Sequence, residues 1–272
     1  MVKLSCLSLF KSSLAFTGLH FGSFCRWLIA PMLLSAAAML AAFALHFWKG
    51  VWALYIPAGV FALFCWMPYC LRVNQMAILG GVEPGGYAEK IFSRRSLRYV
   101  LYALLLTLVV AVGMGLSLAP VMIAAKDGLG SLEGRMGLIL AAVLASLVLL
   151  TALLVLTAPL HLIYPAVAVE DESSLSQAYH LGAGHKFSLV MAMGIPPLVF
   201  GLLSALVEGL AWLFLPESSG AAKLITMPVT VTISWLNSIT SMAVMAIAYR
   251  TLRGLPDPDA PGESEQTEGA QT

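Results

Sequence analysis

Residues 136–168 read MGLILAAVLASLVLLTALLVLTAPLHLIYPAVA, a stretch without a single Asp, Glu, Lys or Arg. A helix in a soluble domain averages about 11–12 residues, whereas a helix that crosses a bilayer needs roughly 20 consecutive apolar ones. This stretch exceeds both, so it is read as a membrane span with excess length. The surplus is expected to be absorbed by tilt, by kinks at Pro159 and Pro165, or by emergence into the interface.

Working outward, five more stretches are long and apolar enough to cross: Trp27–Phe47, Val51–Leu71, Tyr99–Ala125, Phe187–Leu215 and Leu224–Tyr249. Of the 272 residues, 60% are hydrophobic and 11% charged, and mean hydropathy is +0.89. Soluble domains carry about 25% charged residues. The expected fold is therefore all-α, an integral membrane bundle of six transmembrane helices. Residues 1–25 form an N-terminal segment, 26–250 the membrane domain and 251–272 a disordered tail rich in Pro, Gly, Ser and Glu.

Six crossings put both ends on one side. Of the fifteen Lys and Arg residues, only Lys49, Lys126, Arg135 and Lys223 fall on the other side. Positive flanks stay cytoplasmic, so the expected orientation is N-in and C-in, in a bacterial inner membrane. The first span is too long, and too far from the N-terminus, to be a cleaved signal core. Trp27, Trp48, Trp52, Trp66, Tyr69, Tyr99, Trp212 and Tyr249 fall near span ends, where an aromatic belt is expected.

Each hairpin of two spans is preceded by a short polar or amphipathic segment: Leu4–Phe24, Glu83–Arg98 and Glu170–Lys186. In the first, Leu7, Phe10 and Leu14 share a helical face, and Gly18 and Gly22 are expected to end it. In the second, Pro84, Gly85 and Gly86 make a break before Ala88, Ile91, Phe92 and Tyr99. In the third, Ser174 and Gln177 have the spacing of a capping box. The pattern suggests three short interfacial helices and a three-fold internal repeat.

The sequence 164–170, YPAVAVE, followed by LSQAYHL at 175–181 and GHKF at 184–187, resembles a signature of bacterial integral membrane proteins related to the membrane domain of glycerophosphoryl diester phosphodiesterases. Pro165, Glu170, Ala178, Tyr179, Leu181 and Gly184 carry the resemblance. Tyr179 stands where that pattern has Trp, and Gly182-Ala183 where it has Thr-Lys. The resemblance implies a six-helix inner-membrane protein. No hydrolase domain follows, so no phosphodiesterase chemistry is carried over. Ser176-Gln177-Ala178, Gly182 and Ile195-Pro196 also resemble the cytoplasmic coupling loop of ABC-importer permeases, with Ser176 in place of the usual Glu. That second resemblance implies a transporter subunit with an ATPase partner.

Candidate sites follow from polar residues in unusual places. Arg72, Lys90, Arg94, Arg95 and Arg98 crowd one loop and are candidates for binding anionic headgroups. Glu208 is the one carboxylate inside an expected span, so it is expected to face a cavity, a partner, a proton path or the outer headgroups, or to be protonated. Thr230, Ser234, Asn237, Ser238 and Ser241 form a stripe expected to be a close-packed seam, with the lining of a solute path the alternative, and Ala111, Gly115 and Ala119 likewise mark a helix contact. His161 beside Pro159 is expected to pack, with proton transfer the alternative. Cys6, Cys25, Cys65 and Cys70 form no CxxC pair and have no histidine at ligand spacing, so no metal is expected. Net charge of +1 offers nothing to nucleic acid. No cofactor motif, phosphate loop or catalytic constellation is present. The expectation is a non-enzymatic membrane protein of envelope or lipid homeostasis, partnered by lipids, with the permease reading as the alternative.

Overall fold

The computed structural model describes residues 4–49, 52–126, 132–169, 174–214 and 220–259. The described elements are all helical: α1 (Cys6–Leu19), α2 (Phe21–Lys49), α3 (Tyr55–Leu79), α4 (Tyr87–Ile91), α5 (Arg94–Lys126), α6 (Leu132–Thr157), α7 (Ile163–Val169), α8 (Leu175–Gly182), α9 (Lys186–Phe214) and α10 (Gly220–Arg253). Six stretches are long and apolar enough to cross a membrane, which points to a multi-pass membrane protein. Three antiparallel contacts organise them, α2 with α3, α5 with α6 and α9 with α10.

The long apolar stretch breaks where proline dictates. Helix α6 ends at Thr157, and Ala158–Leu162 form a 3-10 turn with Pro159 in its opening positions. Pro159 lacks an amide to donate, and its ring disfavours helical geometry in the residue before it. Pro165 falls in the first turn of α7, where no intrahelical amide is needed. Helix α3 runs past Leu71 to Leu79, so Arg72, Asn74 and Gln75 are helical.

Burial is uneven. Half of the span in α10 is buried (50%), against 11% of that in α2, which makes α10 the axis of the packing. Its residues 243–250 are all buried, Ala243, Ala246 and Ala248 completely. In lipid the hydrophobic effect does not draw helices together, so small side chains that permit close approach decide where they touch. The expected polar seam is packed only in part: Thr230, Asn237 and Ser241 are half-buried, whereas Ser234 and Ser238 are exposed, and the hydroxyl of Ser238 donates to the Ser234 carbonyl of its own helix. The seam on α5 is displaced. Ala111 and Gly115 are exposed, while a Cβ at Gly113 would come within 2.6 Å of Leu153 on α6.

The aromatic belt is corrected at three positions. Tyr69, Tyr99 and Tyr249 are 1%, 7% and 1% exposed; they belong to the core at one end of the bundle. Tyr69 Oη accepts a hydrogen bond from Trp235 Nε1 at 3.0 Å, joining α3 to α10. Trp48 and Trp52 remain exposed. Helix α1 also differs from expectation. It buries Leu9, Ser13, Phe16 and Thr17 against α9 and α10, leaving Leu7 and Leu14 exposed. Gly22 lies in the first turn of α2 and ends nothing.

The ends of α3 and α10 are locked together. Gly80 caps α3 in the left-handed region, φ 69°, with its N–H donating to the Met76 carbonyl at 3.0 Å. The neighbouring free carbonyl, that of Ala77, accepts from buried Arg250 at 3.0 Å. Arg250 also pairs with Asp257 at 2.9 Å. Helix α10 ends in a Schellman turn, with Gly254 at φ 68°, its N–H donating to Thr251 O and the N–H of Leu255 to Arg250 O. This turn sends residues 255–259 back over α3, where they stay exposed but touch Gly80, Arg250 and His20; 260–272 lie outside the described residues.

A methyl group at Gly80 would meet Pro258 at 2.5 Å as well as the left-handed backbone penalty, which alone costs about 1–2 kcal/mol. At Gly81 it would meet nothing within 4 Å. Gly80→Ala is therefore expected to lower the thermal midpoint of the detergent-solubilised protein, and Gly81→Ala to leave it in place. Equal midpoints would sink this account of the junction.

Candidate basic cleft at the start of helix α5

The polar loop between α3 and α5 does more than connect. Ser93 caps α5, its Oγ accepting from Ser96 N at 3.2 Å, while its carbonyl accepts from Leu97 N at 2.9 Å. Arg94 and Arg95 thereby become the first two residues of a 33-residue helix with no acidic residue in its first turn. The start of a helix carries partial positive charge and ordinarily favours anions by about 0.3–1 kcal/mol each. Two arginines there concentrate positive charge where the backbone already supplies it.

Lys90 reaches the same place from α4, and Arg72 with Gln75 from the buried side of α3. Arg72, Lys90, Arg94 and Arg95 together line one cleft of about 330 Å³. Each is held. Lys90 Nζ donates to the Glu83 carbonyl at 2.6 Å. Arg95 pairs with the Glu83 carboxylate at 2.5 Å. Gln75 Nε2 donates to Ala168 O at 2.9 Å, tying the floor to α7. The Arg72 guanidinium lies 5.4 Å from the Tyr87 ring and 6.0 Å from that of Trp27, and its Nε is buried without a hydrogen-bond partner among the described residues. Tyr87 is anchored by its hydroxyl, which donates to the Cys65 carbonyl; burial raises its pKa, so it stays protonated and donating.

The other cations lower the cost of losing one charge. Partial burial pushes the Lys90 ammonium below its ordinary pKa, and Arg72 adds to that. Arg98 stands one turn further along α5, half-buried, outside the cleft lining.

The remaining candidates are dispersed. Glu208 is exposed on α9. Asn237 is half-buried on α10 and accepts from Ser241 Oγ at 3.5 Å. His161 sits half-buried in the 3-10 turn, its ring 5.8 Å from that of Tyr164. The residues of the signature loop have structural surroundings: Pro165 and Ala178 are buried, Leu181 is half-buried and Gly184 exposed. Tyr179 accepts a hydrogen bond from Lys186 Nζ at 2.5 Å. Ser174 and Gln177 exchange both capping-box bonds at 3.2 Å. Glu170 lies outside the described residues.

No family model, curated protein or solved structure matches this chain. Among the described residues no cluster of three or more His, Cys, Asp or Glu could hold a metal. A second cleft, about 340 Å³ between α1 and the C-terminal turn, has as its cation Arg250, which is already paired with Asp257. Of these two clefts, the basic one is where positive charge exceeds what the described residues neutralise.

Sequence reasoning missed Gln75, because the second span was expected to end before it, and Glu83, which looked like a counter-charge in a loop. Its carbonyl and carboxylate in fact organise two of the four cations.

An anion in this cleft needs Lys90 protonated. Because the Lys90 pKa is lowered in the free protein, anion retention is expected to fall as pH rises through that lowered value. Lys90→Arg, which cannot be deprotonated in this range, should flatten the dependence. Anion retention measured across alkaline pH in both proteins checks this; identical slopes would count against it.

Proposed function

We propose that this chain is a non-enzymatic, multi-pass protein of a bacterial inner membrane that serves envelope or lipid homeostasis by holding anionic headgroups at its cytoplasmic face. One observation carries the proposal: four cations from three helices converge on one cleft with a single carboxylate among them. A basic site beside a bilayer attracts anionic lipid by about 1 kcal/mol for each Lys or Arg near the surface. The resemblance to the membrane domain of glycerophosphoryl diester phosphodiesterases supports a lipid setting without implying hydrolysis.

Orientation follows from the same charges. The end that gathers α1, the basic cleft and the C-terminal turn also holds most of the Lys and Arg residues, so it is assigned to the cytoplasm with N-in and C-in. In this reading α1, α4 and α8 lie at the headgroup level as three related units. For α1 the support is a two-sided surface, with Leu7 and Leu14 outward and Phe16 and Thr17 packed inward.

The permease alternative asks Gly182 to serve docking of an ATPase. Gly182 is buried, and a Cβ there would come within 2.9 Å of Leu162 and of Pro159. That surrounding favours a packing glycine, and with it the lipid reading.

Native mass spectrometry of the purified full-length protein tests the proposal. Anionic lipid should co-purify, be lost progressively with salt, and weaken about fivefold for each of Arg94→Ala and Arg95→Ala. Retention that is unchanged in the double variant would overturn it.

A further inference from the structure

Glu83 is the one carboxylate among the residues lining the cleft. It belongs to the loop between Gly80 and Gly86, and both of its acceptor groups are used inward: the carboxylate on Arg95 at 2.5 Å and the carbonyl on Lys90 at 2.6 Å. Nearby Glu89 lies outside the cleft lining and caps α4, its carboxylate accepting from Gly86 N at 3.2 Å, while adding a weaker attraction to Lys90. Arg72 is left between two aromatic rings, with no carboxylate paired to it among the described residues. The cleft thus contains an anion of its own that covers one cation fully and a second through a neutral carbonyl, and leaves the others for something else.

That arrangement sets a threshold. A phosphate diester carries one negative charge, the same as the carboxylate it would have to displace, so the exchange gains little in charge. A phosphate monoester carries about −1.5 to −2 near neutral pH and has three free oxygens. It can replace the carboxylate on Arg95 and still have charge and acceptors for Arg94, Lys90 and Arg72, in charge-assisted bonds roughly twice as strong as neutral ones. The Glu83 side chain is half-exposed, 47%, so it can leave without unpacking the core.

We infer that Glu83 is an internal stand-in for the ligand, and that it makes the cleft selective for a phosphate monoester over a phosphate diester. This rests on the lipid-binding reading above and adds to it the headgroup class and the residue that sets the selectivity.

The test uses full-length protein in nanodiscs of neutral lipid doped with either phosphatidate, a monoester, or phosphatidylglycerol, a diester. Bound lipid is counted by native mass spectrometry. Wild type is expected to hold phosphatidate about tenfold more tightly than phosphatidylglycerol. Glu83→Gln removes the competing charge while keeping the side-chain shape. It should gain phosphatidylglycerol and shrink the ratio to a few-fold, with its thermal midpoint showing that the fold is kept.

A ratio that Glu83→Gln leaves unchanged, or a wild type that holds both lipids alike, overturns the selectivity while leaving lipid binding intact. A wild type that retains neither lipid overturns both readings. Excess inorganic phosphate separates the two sources of a monoester. A headgroup site keeps phosphatidate, and a site for a soluble phosphate monoester releases it; either result, alongside the Glu83→Gln gain, supports the exchange.

Discussion

Helices surrounded by lipid tails gain nothing from turning apolar faces toward each other, so cohesion has to come from close backbone approach and from polar groups that find partners inside the bundle. In this chain both are concentrated at the end where the described N- and C-terminal residues meet. There α10 presents Ala243, Ala246 and Ala248, and α3 and α7 pack onto that surface. The polar bonds that cross between helices lie in the same region: Trp235 to Tyr69, Gln75 to Ala168 and Arg250 to Ala77. Each satisfies a group that would otherwise be stranded at a cost of a few kcal/mol in hydrocarbon. Toward the opposite end the same helices keep their large apolar side chains on the outside, as Leu202, Leu206 and Leu213 do on α9.

This division explains what could be read from the sequence. Hydropathy reports the demand of the solvent on each helix by itself, and six spans are legible because each must satisfy its own backbone. Capping chemistry is equally local, which is why Ser174 and Gln177 could be paired from spacing alone. Contacts between helices are a different kind of information. Gly113 and Gly115 are both small residues in one span, and only the position of Leu153 on α6 decides that the first is the contact. Likewise a tyrosine near a span end suits an aromatic belt or a buried core equally well. Tyr69 went to the core because Trp235, more than 150 residues away, supplies the donor its hydroxyl needs.

The basic cleft was half legible for the same reason. The excess of Lys and Arg between residues 72 and 98 is visible in the sequence, and so is its bias toward one side of the membrane. The sequence groups Arg72 with Arg94 and Arg95 in one loop; that it reaches them from a helix was hidden, because α3 continues past its apolar stretch. Its continuation is held from other helices, as Arg250 of α10 donates to the Ala77 carbonyl and Gln75 of α3 itself donates to Ala168 of α7, a support that no local pattern announces. Arg98 shows the converse: it shares the sequence neighbourhood of the cluster, but the turn of α5 carries it out of the lining.

The position of the cleft at the tight end of the bundle has a physical consequence. Cations that converge repel one another, and they stay together only if their attachment points cannot drift apart. Arg72 is attached to the buried end of α3, Arg94 and Arg95 to the capped start of α5, and Lys90 to a short helix pinned through Tyr87 to Cys65. The fold thus maintains an electrostatic conflict using cohesion available at that end, and one loop carboxylate relieves only part of it. A conflict of this kind has no stabilising value of its own, since positive charge at a helix start weakens the helix. Under the proposed lipid-binding role its value would lie in what it attracts, the headgroup layer being the closest source of negative charge to a cleft at the edge of a bilayer.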